Sequence, residues 1–206
     1  AASLPFFVAA GYVDWQIALP LTLATAADYV EGKQWYLSAF KVASLLAVSY
    51  GITTATACGV IAALSPRNKW ERNLQDAEKI IAAFKAGGAE SAMLVKVCTF
   101  NGNKKTALAI LEWNSNDDVV REILSGPKVT EFFNCIYQVD DCCIDGHAYS
   151  IWFGDRITLA NVPSIGVKLR RAIKADYAAV AKAHGLKAYE VQAITWVAWR
   201  RLHGVA

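Results

Sequence analysis

Hydrophobic residues recur along this chain at helical spacing and almost nowhere in alternation. Tyr36, Phe40, Ala43, Ala47 and Tyr50 fall on one face of a helix. Leu74, Ala77, Ile81 and Phe84 do the same in the next charged segment, and Ala107, Ile110 and Leu111 in a shorter one. Val119, Val120 and Ile123 precede a Gly126-Pro127 turn; Val129, Phe132, Phe133 and Ile136 follow it. The last long helix is predicted from about Tyr189 to His203, with Trp196 and Trp199 read as core. Loops are predicted at Ser65-Pro66-Arg67-Asn68, Gly87-Gly88, Asn101-Gly102-Asn103 and Pro163-Ser164-Ile165-Gly166. No Val/Ile/Thr-rich run alternates with period two for long enough to make a strand. The pattern therefore predicts an all-α fold.

Two apolar stretches invite a membrane reading. Residues 43–64 carry no charge, a length that could span a bilayer. The run is rich in Ala, Ser and Thr, however, and Tyr50-Gly51-Ile52-Thr53 reads as a helix stop and a new start, so two buried core helices are expected. The stretch from Leu4 to Tyr29 is interrupted by Asp14 and Pro20 and has no basic region ahead of it, which makes a poor signal peptide. No membrane partner is expected.

Composition sharpens this only in places. At 206 residues, 55% hydrophobic and 19% charged, the chain has the makings of a large core and is not a disordered one. The net charge of +3 conceals an asymmetry: from Arg156 onward nine lysines and arginines face only Asp176 and Glu190, leaving the rest acidic. A basic end suits a polyanionic partner, although a solvated helix face has the same composition. The five cysteines (Cys58, Cys98, Cys135, Cys142, Cys143) fit no zinc spacing and are read as reduced, buried small hydrophobes of a reducing compartment. No metal or other cofactor is implied.

The chemistry concentrates in Leu124-Ser125-Gly126-Pro127-Lys128-Val129 and, seventeen residues beyond the lysine, Ile144-Asp145-Gly146-His147-Ala148. A Gly-Pro turn ends one helix and puts Lys128 on the first turn of the next, while Asp145 stands where an N-cap opens another. An amine and a carboxylate so presented can carry out substitution at an anomeric carbon. The carboxylate stabilises a developing oxocarbenium ion, and the amine holds the sugar as a Schiff base. Spacing alone equally allows a turn lysine and an ordinary capping aspartate.

The order of these pieces resembles the helix-hairpin-helix (HhH-GPD) DNA glycosylase superfamily, the group of endonuclease III and 8-oxoguanine glycosylase. The segment 59–68, ending Leu64-Ser65-Pro66-Arg67-Asn68, is similar to the family's apolar run and polar loop, whose residue fills the gap left by a flipped base. Asn103-Lys104-Lys105-Thr106-Ala107 resembles its Lys-Ala helix, Gly126-Pro127-Lys128 the end of its hairpin, and Asp145-Gly146-His147 its Asp-x-His segment. The resemblance covers about residues 40–155 of what reads as a single domain, 1–206, with residues 156–206 as basic helices packing on the N-terminal segment. It implies a two-lobed helical bundle, Lys128 as nucleophile and Asp145 as catalytic carboxylate. It further implies DNA contacts from Arg67, Asn68, Lys69, Lys104, Gly126 and His147; the charge of the basic third, not the resemblance, adds Arg170 and Arg171. The hairpin is two residues shorter than the family's and keeps one glycine.

The function so implied is a bifunctional glycosylase and AP lyase. It would act as a cytoplasmic monomer, in a prokaryote or a phage-infected host, on duplex DNA with a modified or damaged base. The chain is also similar to small phage-encoded proteins. Two alternatives stay open: a phage enzyme of the same fold that hypermodifies a base without breaking the glycosidic bond, and a non-catalytic DNA-binding module.

Overall fold

Ten α-helices and no strand are formed by the described residues, 15–158 and 160–204, in the computed structural model of the protein. The predicted all-α class is thus what the chain adopts. The helices are α1 (Trp15–Thr22), α2 (Ala26–Tyr50), α3 (Thr54–Leu64), α4 (Trp70–Leu94), α5 (Asn101–Trp113), α6 (Asp117–Ile123), α7 (Pro127–Ile136), α8 (Gly146–Phe153), α9 (Val167–His184) and α10 (Ala188–Leu202). The chain divides into two compact units: Ser38–Gln138 forms one, and Ala1–Leu37 together with Val139–Ala206 the other. The boundary at 138/139 falls between the Lys128 and Asp145 motifs.

The Ser38–Gln138 unit is organised around α3. Every residue from Ala55 to Leu64 is buried, and α4, α5, α6 and α7 all pack on it. This is the charge-free run, and it breaks where expected: α2 stops at Tyr50, Gly51 turns at φ 60, and Thr53 caps α3 by accepting from the Thr56 N–H. Close packing needs Gly59, where an added Cβ would lie 2.6 Å from Val120 Cγ1. The Gly87-Gly88 prediction also holds, as a break inside α4 with Gly88 at φ 71. The 101–103 prediction does not: Asn101-Gly102-Asn103 is the first turn of α5. A helix's first turn makes few intrahelical bonds, so it tolerates residues that elsewhere signal a loop.

The other unit centres on Ile17, Leu21, Ile151, Tyr177, Val191 and Ile194, supplied by α1, α8, α9 and α10. α1 packs on α8, α9 and α10 and carries the buried Pro20 within it. The part of that N-terminal stretch from Leu4 to Asp14 lies outside the described residues. Two buried hydroxyls are paired within the unit: Tyr36 donates to Gln192 Oε1 at 2.6 Å and Tyr177 to the Ala148 carbonyl at 3.2 Å. Among the described residues no single helix is long and apolar enough to cross a membrane; α2 and α3 together pass by length and composition but bend by 118°.

Candidate functional site

The hairpin is built from α6 and α7. Leu124 ends α6 with an extended backbone, Gly126 turns at φ 91, and Pro127 opens α7. No atom lies within 4 Å of where a Gly126 Cβ would stand, so the glycine is required by its backbone angle and not by crowding. Arg121 fastens the two helices: its Nε donates to Asn134 Oδ1 at 2.9 Å, while Nη1 meets Asp117 at 2.6 Å and Asp118 at 3.0 Å. The exposed Lys128 sits on the first turn of α7, at the positive end of its dipole.

A second feature of this unit is a pair of latched loops. The buried Asp76 accepts from Asn68 Nδ2 at 3.0 Å and from the Cys98 N–H at 2.8 Å, both on Oδ2. Thr99 Oγ1 adds a bond of 3.3 Å to the Pro66 carbonyl. So held, Arg67 takes a left-handed backbone, φ 60, and lays its guanidinium over the Phe100 ring at 5.2 Å. Positive φ is costly for a residue with a side chain and persists where the surroundings impose it. Phe100 is 57% exposed. Trp70 opens α4 just after the exposed Lys69 and meets Phe132 edge-on at 6.5 Å. Phe132 is four residues from Lys128 and hence on its helical face, so this loop end and the hairpin lie side by side.

Asp145 belongs to the other unit. It is the N-cap of α8, and its Oδ1 accepts from the N–H groups of His147 at 3.0 Å and Ala148 at 2.9 Å. Among the described residues nothing donates to its second oxygen, Oδ2. His147, half-buried, points its ring at Trp196, centroids 6.5 Å apart. Arg200 lies over that same indole at 4.6 Å. Arg170 Nη1 donates to the Ile144 carbonyl at 3.0 Å, which fixes the approach to Asp145. Arg171 is exposed.

This chain belongs to the family of unknown function DUF7178. The family's model matches residues 14–203, so it spans both units, and its description assigns no activity. No curated protein and no solved structure matches the chain.

Set against expectation, the residues of this DUF7178 chain divide by role. Arg67, Asn68, Lys69, Gly126 and Lys128 gather in the Ser38–Gln138 unit, and Asp145, His147, Arg170 and Arg171 in the other. Lys104 departs from its expected contact with phosphate. It is 6% exposed, and its ammonium donates to the carbonyls of Met93 and Val95 at the end of α4, so its charge serves inside the fold. Asn68 likewise spends its amide on Asp76. Phe100 was not foreseen, because periodicity marks residues that turn inward and gives no signal for an exposed aromatic. Among the described residues no group of His, Cys, Asp and Glu side chains is arranged to hold a metal ion.

Proposed function

We propose that the protein is a DNA base-excision enzyme of the bifunctional kind, in which Lys128 and Asp145 act at C1′ of an extruded nucleotide. Extrusion is required because the anomeric carbon cannot be reached within the base stack. In this reading the Lys128 ammonium gives up its proton to a base before it attacks, and Asp145 faces the positive charge that develops on the sugar. The neutral amine forms a bond to C1′, and the base departs with the electron pair of the glycosidic bond. Ring opening gives the imine; loss of a C2′ proton then expels the 3′ phosphate by β-elimination. Arg67, with Phe100 beneath it, would fill the space the nucleotide vacates.

The observation that carries this reading is the state of the Asp145 carboxylate. One oxygen is committed to two backbone N–H groups, which fixes its direction, and the second accepts nothing among the described residues. Capping uses only the first oxygen, so in this reading the second is left to face the reacting sugar. Lys128 supports it from its own unit, on the first turn after a Gly-Pro turn and exposed.

Borohydride tests it. Wild type should give a trapped protein–DNA adduct with an abasic duplex and with a suitable lesion. Lys128→Ala should give none. Asp145→Asn keeps the cap but loses the charge, and its rate should fall by on the order of a hundredfold or more while DNA binding persists. If Lys128→Ala still forms the adduct, the assignment is wrong. Altered bases without abasic sites, on nucleoside analysis, would mean that the exocyclic group is attacked instead.

A further inference from the structure

We propose that His147, Trp196 and Arg200 form the surface that receives the flipped base, and that they select bases bearing carbonyl oxygens. This rests on the base-excision reading of Asp145. The three side chains lie in one unit and are each partly exposed. Trp196 is at their centre: the His147 ring meets it at 6.5 Å, Trp35 meets it edge-on at 6.1 Å, and the Arg200 guanidinium covers it at 4.6 Å. His147 also supplies the N–H that Asp145 Oδ1 accepts, so one residue separates the carboxylate from the indole. A base attached to a sugar whose C1′ faces Asp145 would extend toward this surface.

Two features set the patch apart from ordinary core packing. The first is that its polar groups are unspent. Among the described residues no protein acceptor takes a hydrogen bond from the Arg200 guanidinium or the Trp196 indole N–H. The neighbouring Arg201 shows the contrast, since its guanidinium is engaged by Asp28 and by the Leu23 carbonyl. Trp152 does the same for tryptophan, donating to Asp176 at 2.7 Å. The second is the combination itself. A stacked guanidinium keeps its N–H fork in the plane, where it meets a flat acceptor edge, while the aromatic ring offers a π-face. Arginine donates and never accepts, so it favours thymine-, uracil- or guanine-like edges over adenine.

The test has two arms. In the first, deoxynucleosides are titrated into the full chain and the Trp196 indole resonance is followed by NMR. Thymidine, deoxyuridine and deoxyguanosine should give saturable shifts and deoxyadenosine weaker ones; Arg200→Gln should flatten the preference, and Trp196→Leu should abolish nucleoside binding measured by calorimetry. In the second, base excision and borohydride trapping on abasic DNA are compared. An abasic site has no base to recognise, so both variants should trap within about twofold of wild type while excision falls roughly tenfold or more. Arg200→Gln carries the test alone if Trp196→Leu does not fold by circular dichroism. Normal excision by folded variants overturns the proposal, as does equal loss of excision and trapping. If wild type traps nothing yet binds nucleosides through Trp196, the base-binding surface stands and the lyase reading falls.

Discussion

Asp28 shows how much one side chain can hold. It is buried, its Oδ2 accepts from the Thr25 N–H at 2.8 Å, and Thr25 Oγ1 accepts in return from the Asp28 N–H at 3.2 Å, a reciprocal cap on α2. Arg201 reaches the same carboxylate at 2.8 Å from α10. The hydrogen bond from Arg201 is the foremost reason that the Asp28 carboxyl is held below its usual value, with the Thr25 bonds adding to it and burial opposing. The sign follows. A carboxyl with a depressed value in the folded state stabilises the fold fully above the ordinary carboxylate value, near pH 4, and loses that contribution as pH falls through the folded value. Asp28→Asn should therefore cost about 1–3 kcal/mol at pH 7. The gap from wild type should close in acid, as thermal melting across pH would show; a gap constant down to pH 2 would contradict this.

Lys104 makes a second case at the same scale. Its ammonium satisfies two carbonyls where α4 ends. Lys104→Met keeps the stem and removes the donor, so it should cost about 1–3 kcal/mol and, on the proposed DNA-binding reading, leave affinity for DNA unchanged in the folded protein. A loss of affinity without a loss of stability would restore the phosphate role. Nothing in Lys104-Lys105 tells which lysine turns inward. That choice depends on where Met93 and Val95 end up, which is tertiary information. Asp145 is the opposite case: a capping residue before an apolar helix is a local signal, and it was legible.

At the scale of elements, helices with an uninterrupted apolar face could be read from the sequence, and the contacts that join their loops could not. α3 stands out because it is apolar on all sides, and a helix without a polar face belongs in a core. Its tightness leaves a ranking to test. A Cβ at Gly59 would press on the Val120 side chain at 2.6 Å, whereas one at Gly32 would press on the backbone of Ile194 at 2.5 Å. Side chains yield and backbones do not. Gly59→Ala should cost about 1–3 kcal/mol, and Gly32→Ala more. Chemical denaturation of the two variants gives the order directly, and the reverse order would mean that α2 and α10 separate easily. The Arg67–Phe100 pair shows what was illegible: it arises because Asp76 draws together loops more than twenty residues apart in sequence.

For the whole molecule, the charge asymmetry along the chain changes meaning once the chain folds into units. The basic final third shares its unit with residues 1–37 and 139–155, where acids predominate, so that unit carries little net charge. Three of its cations are met there: Lys174 by Asp141, Arg201 by Asp28, and Lys33 by Glu190 at 3.9 Å. On α9 the exposed cations are Lys168, Arg171 and Lys182. At 100° per residue these three share one face over about 21 Å of helix. If the protein binds duplex DNA through α9, this row is what meets phosphate, and each contact releases counterions. Replacing all three with Gln should weaken binding on every sequence alike. The plot of log affinity against log salt should lose roughly 0.9 of slope per contact removed, close to three units in all. An unchanged slope would place α9 away from the DNA and leave Arg67, Lys69 and Lys128 as the cations that hold it.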